Sequence, residues 1–141
     1  METSSRGAIT IRGIDHVVLR VRDVDRAIAF YRDVLGCTVE RERRDLGLWH
    51  LRAGAAMIDL VPVDGELGRA GGAAPGAEGR NVDHVCLRIE AWDETAIRAH
   101  LVAHAIAFEP ARKRFGADGD GPSLYIVDPD GNTVELKGPP S

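Results

Sequence analysis

The sequence predicts an α+β fold made of two βαβββ modules in tandem. Two observations lead to this prediction: a strand sequence that occurs twice, and a glycine-rich segment between its two copies. Residues 13–21 (GIDHVVLRV) match residues 81–89 (NVDHVCLRI), and the second copy begins 68 residues after the first. In both halves the strand precedes a helical pattern and then three short strand-like runs, so each half has the element order βαβββ.

The first half begins with a strand at Ile14–Val21, in which neighbouring side chains alternate between two faces. Asp23 has the residue type of a helix N-cap, and apolar residues at helical spacing predict a helix from Val24 to Leu35. Gly36 follows as the expected C-terminal glycine. Three further strands complete this half, at residues 37–43, 48–52 and 57–62.

Residues 64–81 contain six glycines and one proline, which predicts a loop or linker between the halves. After it the element order starts again with a strand at residues 82–89, followed by an N-cap at Asp93 and a helix at residues 94–104. The remaining elements are a strand at 106–110, a glycine-rich loop at 115–122, and strands at 123–127 and 132–137 that are joined by the turn sequence DPDG.

The chain is therefore divided into a flexible leader (1–10), a first module (11–63), the linker (64–81) and a second module (82–138). Its 141 residues have the size of one ordinary domain. A half of about 50 residues cannot bury much of a core alone, so the two modules are expected to pack together as one domain.

Charge and hydropathy exclude several functional classes. The chain has 18 Lys and Arg against 22 Asp and Glu, and its densest basic cluster is only three residues long, which argues against a nucleic-acid partner. No apolar run approaches the roughly 18 residues of a membrane span, and the first ten residues lack an apolar signal core. Two cysteines, Cys37 and Cys86, do not make a disulfide framework, so we expect reduced, buried thiols and a cytoplasmic protein.

Four polar residues stand at matching places within apolar strands. They are His16 and His84 in the first strand of each module, and Asp59 and Glu135 in the last strand of each module. Strand alternation directs all four away from the apolar side chains beside them, so they can gather on one face of a curved sheet. Imidazole and carboxylate together suit Ni, Zn, Mn, Co or Fe, and a cation removes the cost of burying the carboxylates.

The paired DHV strands, the segment RAIAFYRDVLG at residues 26–36 and the segment DPDGNTVEL at residues 128–136 resemble the vicinal oxygen chelate superfamily. This superfamily includes glyoxalase I, fosfomycin-resistance proteins, extradiol dioxygenases and bleomycin-resistance proteins. The resemblance implies that the paired modules form an open, curved mixed sheet (an incomplete barrel) around a divalent metal ion held by His16, His84 and Glu135. Asp59 stands where other members have glutamate, glutamine or histidine, and its side chain is shorter, so it would ligate directly, bind through water, or leave three protein ligands.

The same resemblance implies a metal-dependent, glyoxalase-like enzyme, a lyase or isomerase in which Glu135 or Asp59 moves a proton on a small substrate whose adjacent oxygens bind the metal. Its alternatives are an extradiol-type dioxygenase, a fosfomycin-type thiol transferase or hydrolase, and a metal-free binding protein of the bleomycin-resistance type. A homodimer is the expected assembly.

Several further residues share the predicted ligand face or its neighbourhood. Arg20 and Arg88 could bind a substrate carboxylate or phosphate, whereas His50 and Tyr125 lie in strands that could line the cavity. The cluster at residues 112–114 (RKR) is interpreted as a solvated face rather than an anion site, and Cys86 as a packing residue rather than a nucleophile.

Overall fold

A computed structural model describes residues 7–141, so residues 1–6 of the predicted flexible leader (1–10) lie outside the described part. The first module contains β1 (His16–Val21), α1 (Val24–Ala29), a π-helical turn (Phe30–Val34), β2 (Thr38–Arg43), β3 (Leu48–Ala53) and β4 (Ala56–Pro62). A 3₁₀ turn (Gly68–Gly71) lies within the linker. The second module contains β5 (Val85–Arg88), α2 (Glu94–Ala103), β6 (Arg112–Gly116), β7 (Gly119–Val127) and β8 (Thr133–Lys137).

Each module forms its own four-stranded mixed sheet, and the two sheets have the same strand order. The first is ordered β1-β4-β3-β2 and the second β5-β8-β7-β6. In each sheet the first strand of the module pairs in parallel with the last, while the other neighbours are antiparallel. The sheets are open and are not closed into a barrel, which confirms the predicted fold of tandem βαβββ modules.

Both helices begin where the sequence predicts. Asp23 accepts a hydrogen bond from the backbone N–H of Arg26, and Asp93 accepts one from that of Ala96. The first helix is shorter than predicted, because after Ala29 it widens into the π-helical turn. Its first two residues, Phe30 and Tyr31, are both buried. Gly36, with a φ of 77°, then ends the helical segment.

The first half of the second module differs from the prediction. Residues 106–110 form no strand, and the residues predicted as a glycine-rich loop (115–122) belong mostly to the hairpin of β6 and β7. The glycines of this hairpin are needed for close approach rather than for disorder. A Cβ at Gly116 would lie 2.9 Å from Cε of Lys137, and one at Gly121 would lie 2.6 Å from the Pro139 carbonyl oxygen.

One apolar core joins the two modules. It contains side chains from both sheets and both helices, among them Leu19, Leu60, Leu101, Leu124 and Leu136. A polar junction accompanies this core: the Asn81 side chain accepts from the backbone N–H of Arg20 and donates to its carbonyl oxygen, and the buried Tyr31 hydroxyl donates to Asp128 at 2.7 Å. The two modules therefore share one core, as expected for halves too small to fold alone.

The helices of the described chain are short. None of those within residues 7–141 has the length and apolar character needed to cross a membrane.

Candidate metal centre

Each sheet has one face in the shared core and one open face. We call the face that carries His16, His50 and Asp59 the first open face, and the face that carries His84, Tyr125 and Glu135 the second open face. Along β1, Leu19 and Val21 are buried, whereas the alternate residue His16 is exposed. The predicted ligands therefore lie on the faces opposite the core, as strand alternation predicts.

On the first open face, His16 and Asp59 form one histidine–carboxylate pair. Nε2 of His16 lies 3.9 Å from Oδ2 of Asp59, whose side chain is only 7% exposed. The other carboxylate oxygen of Asp59, Oδ1, is 2.9 Å from Nδ1 of His50. His50 and Asp59 are direct cross-strand partners in β3 and β4, so the sheet register brings them together.

On the second open face, His84 and Glu135 form the equivalent pair. Nε2 of His84 lies 3.2 Å from Oε1 of Glu135, and this carboxylate is also only 7% exposed. Glu135 is flanked in register by Cys86 on β5 and Tyr125 on β7. The Tyr125 ring packs edge-on against the His84 ring at a centroid distance of 5.6 Å. The shorter distance makes this the better-formed pair of the two.

An aspartate that precedes each histidine orients its ring. Nδ1 of His16 is 2.7 Å from Oδ1 of Asp15, and Nδ1 of His84 is 2.7 Å from Oδ1 of Asp83. Because a carboxylate only accepts, these contacts favour a proton on Nδ1 in both rings, and loss of the Nε2 proton would leave a lone pair there for a metal ion. The hydrogen bond with Asp15, followed by the charge of Asp59, raises the pKa of His16, and the hydrogen bond with His84 lowers the pKa of Asp83.

This role of Asp15 and Asp83 was not predicted, although the repeated Asp-His dipeptide is visible in both strands. The contact between His50 and Asp59 was not predicted either, because the register of β3 against β4 cannot be read from residue periodicity.

The donor chemistry of both pairs fits a divalent metal ion. Each pair combines an imidazole nitrogen with a buried carboxylate, a donor set that suits Zn, Ni, Fe, Co or Mn. Across residues 7–141, however, no group of three or more His, Cys, Asp or Glu side chains is arranged to hold a metal ion. Each module supplies one histidine–carboxylate pair.

Two other predicted residues have different surroundings from those expected. The Arg20 guanidinium donates to backbone carbonyl oxygens of the linker, at Gly68, Gly71, Gly72 and Ala73, and so holds the linker in place. Cys37 is buried as expected, but Cys86 is exposed, because it lies on the second open face rather than in the core. Burial, followed by the charge of Glu135, raises the pKa of the Cys86 thiol to about 11, which favours the protonated form.

The chain is similar to proteins of known class over nearly its whole length. A virulence protein of Salmonella typhimurium is 32% identical over 127 residues, which cover 87% of this chain and 81% of that protein. Its crystal structure superposes with a TM-score of 0.72 over 93% of this chain and 99% of that chain, at 28% identity. A glyoxalase domain-containing protein of Mycosarcoma maydis is 33% identical over 131 residues, 91% of this chain and 69% of that protein.

A lactoylglutathione lyase from Agrobacterium tumefaciens has a similar structure, with a TM-score of 0.63 and 27% identity over 91% of this chain and 94% of that chain. Residues 13–136 also match the family description that covers these folds. The duplicated sheets and their paired open faces agree with that match. The chain belongs to the Glyoxalase/Bleomycin resistance protein/Dioxygenase superfamily.

Proposed function

We propose that this protein is a metal-dependent enzyme, a glyoxalase-like lyase or isomerase that acts on a small, oxygen-rich substrate. The observation that carries the proposal is the duplicated pair: in each module an aspartate holds Nδ1 of a histidine, and the Nε2 atom faces a buried carboxylate. The similarity to a lactoylglutathione lyase supports the same reaction class.

In this proposal His16, His84 and Glu135 would hold the metal ion, and Asp59 would complete the set. The bound ion would supply Lewis-acid polarisation of two adjacent substrate oxygens. Glu135 would be the better proton carrier of the two carboxylates, because Asp59 is held by the His50 imidazole, whereas Glu135 meets the Cys86 thiol, which is a weaker donor. The imidazoles do not exchange protons in this scheme, since Asp15 and Asp83 keep Nδ1 protonated.

The proposal includes a homodimer. Because each chain has its two pairs on separate faces, a full ligand set is obtained when His16 and Asp59 of one copy meet His84 and Glu135 of a second copy. Two apolar or aromatic side chains on these faces, Val18 and Tyr125, are 46% and 37% exposed, and a second copy would cover them. A location in the cytoplasm remains part of the proposal.

Metal analysis tests the proposal directly. Protein purified without added metal should take up close to one equivalent of Ni, Zn, Mn, Co or Fe, and saturating metal should raise the free energy of unfolding by about 2.7 kcal/mol at a hundredfold excess over Kd. Glu135→Gln should lose most of this uptake and all turnover. The matched control is Glu109→Gln, at an exposed glutamate of the same module, which should behave as the parent protein.

Uptake below about a tenth of an equivalent with no thermal stabilisation would refute the metal-dependent function. Unchanged metal content in Glu135→Gln would remove Glu135 from the site.

A second candidate function is a metal-free binding protein of the bleomycin-resistance type. The observation that favours it is that no group of three or more donor side chains within residues 7–141 of a single chain is arranged to hold a metal ion. The metal-uptake assay distinguishes the two candidates, because only the enzyme should bind metal. A substrate panel on the metal-loaded protein then distinguishes a lyase reaction from dioxygenase-type and fosfomycin-type reactions.

A further inference from the structure

Three basic side chains and one serine form a row, called the basic row below, across the four strands of the second sheet. Arg88 on β5 pairs with Lys137 on β8, Lys137 pairs with Ser123 on β7, and Ser123 pairs with Arg112 on β6. Residues that pair directly across strands share a face, so these four side chains lie side by side. Since Lys137 is two residues from Glu135, this is the second open face.

We propose that this basic row is a binding subsite for an oxyanion group, a carboxylate, phosphate or phosphonate, of the substrate. That the subsite serves a substrate bound at the metal rests on the proposed function. The subsite itself rests only on the arrangement of the row.

The basic row would destabilise the sheet if it had only a structural role. Like charges directly opposite one another destabilise a sheet, and Lys137 is buried, with 7% exposure. Its Nζ donates to the carbonyl oxygen of Gly119 at 2.9 Å, which leaves further N–H donors for a ligand. Gly116 and Gly121 provide the space around this ammonium group, since a Cβ at either would lie within 3.4 Å of Nζ. Neighbouring like charges and a buried lysine are unfavourable for stability, and such unfavourable arrangements are typical of functional sites.

The counter-charges around the row leave it able to accept an anion. Asp118 pairs with Arg88 at 2.7 Å, but both side chains are more than half exposed, and an exposed ion pair contributes little stability. An incoming oxyanion can therefore replace Asp118. Glu90 also borders the cavity of about 320 Å³ that Arg88 and Lys137 line. Arg112 forms no ion pair within the described residues.

The neighbouring Arg114 strengthens the basic side of the row. Its guanidinium donates to both the carbonyl oxygen and the hydroxyl of Ser123 at 2.8 Å, and it lies 4.6 Å from the centre of the Tyr125 ring. Residues 112–114 were expected to form only a solvated face. Arg114 differs from this expectation, because its side chain is half-buried. Because Ser123 is fully buried, it anchors the Arg114 guanidinium and does not itself meet an anion.

The distance between the basic row and Glu135 indicates which substrates would fit. Glu135 and Lys137 are two residues apart on one strand, a separation of about 7 Å. The second open face thus presents a metal-binding carboxylate and, about 7 Å along the strand, a cationic subsite. A small molecule with adjacent oxygens at one end and an oxyanion at the other matches both.

The first test uses metal-free protein, so that its result does not depend on the proposed enzyme. Inorganic phosphate is titrated at constant ionic strength while the amide resonances of Gly119 and Gly121 are followed by NMR. We expect saturable shifts at these residues in the parent protein and at least a roughly fivefold weaker Kd in the double variant Arg88→Gln/Arg112→Gln. A parallel titration with acetate tells whether the row prefers phosphate or carboxylate.

Two further variants keep the test decisive. Lys137→Met retains the buried aliphatic chain and should also weaken phosphate binding, whereas Arg52→Gln removes an exposed arginine that pairs with Glu40 in the first module and should leave the Kd unchanged. Absence of saturable shifts, or equal Kd values in the double variant and in Arg52→Gln, would overturn the subsite.

The second test links the row to the metal. In the metal-loaded protein, glycerate and 3-phosphoglycerate present the same two adjacent oxygens, and only the latter adds a phosphate. We expect 3-phosphoglycerate to bind about tenfold more tightly in the parent protein and to lose that advantage in Arg88→Gln/Arg112→Gln. An advantage of equal size in both proteins would overturn the assignment to this row. A protein that takes up no metal but still binds phosphate at the row would refute the proposed function and leave the subsite standing.

Discussion

The two modules share a backbone plan but use equivalent side chains differently. Arg20 and Arg88 occupy the same place in the repeat, yet the guanidinium of Arg20 is bonded to linker carbonyl oxygens, whereas that of Arg88 lies at the surface beside Asp118. Likewise His50 and Tyr125 both pair in register with the carboxylate of the neighbouring strand. The duplication therefore provides two equivalent histidine–carboxylate pairs, and in our proposal only the second module adds groups that bind an anion.

The last turn of each module shows the same divergence. In the first module Gly54 and Ala55 form a tight connection between β3 and β4. In the second module residues 128–132 form a buried polar turn against the first module. Asp128 accepts from the backbone N–H groups of Asp130 and Asn132 and from the Tyr31 hydroxyl. One turn only connects strands, and the other also fixes how the modules pack.

The largest predicted effect on stability comes from removing the buried carboxylate of Asp128. Asp128→Ala should lower the free energy of unfolding by at least about 3 kcal/mol, because several buried donors lose their partner at once. Urea unfolding measures this loss. Asp45→Ala, at an exposed aspartate that pairs only with Arg43, is the control and should leave stability nearly unchanged. Equal losses in the two variants would mean that the turn does not join the modules.

A second prediction compares the aspartates that orient the two histidines. Asp83→Ala should weaken metal binding by roughly 10–100-fold, because the His84 ring loses the partner that holds Nδ1 protonated. Asp15→Ala should have a smaller effect, since the pair it supports is wider, 3.9 Å against 3.2 Å. Calorimetric titration with Ni²⁺ measures both affinities.

The tautomer provides a separate measurement for this prediction. Nitrogen-15 spectra of the metal-free protein should show the Nδ1–H form of His84 in the parent and in Asp83→Asn, which keeps an acceptor, but not in Asp83→Ala. An unchanged tautomer together with unchanged affinity in Asp83→Ala would contradict the orienting role.

The smallest predicted effect on stability concerns Asp130 in the buried polar turn at residues 128–132. Burial raises the pKa of this carboxyl, and its Oδ2 atom has no hydrogen-bond partner among the described residues. A folded-state pKa above the unfolded value means that the charged form opposes folding above that pKa and that the cost disappears at lower pH. Asp130→Asn keeps the acceptor for the backbone N–H of Arg22. It should therefore be more stable than the parent at pH 7, by no more than about 1 kcal/mol, with no difference near pH 3.

Thermal unfolding of the parent and of Asp130→Asn between pH 3 and pH 7 shows which of the two proteins is more stable at each pH. A variant that is less stable than the parent at pH 7 would show that the charged carboxylate supports the junction.

The repeat made much of the fold predictable. Periodicity placed β1 and β5, the two N-cap aspartates were recognisable by type and position, and the paired polar residues fell on the open faces. The hairpin of β6 and β7 was missed because glycine is both a loop signal and a residue that permits close approach, here to Lys137 and Pro139. Whether the two ligand pairs meet depends on how the modules pack, and residue spacing within each strand carries no information about that packing.

A mixing experiment shows most directly whether a metal site is completed between two copies of the chain. One variant loses His16 and Asp59, the other loses His84 and Glu135, each by substitution with alanine. Neither variant alone should load metal, whereas refolding an equimolar mixture should restore metal to about one quarter of the parent level, because half of the dimers are mixed and each mixed dimer has one intact site of two. A mixture that stays without metal while the parent protein loads fully would contradict the account.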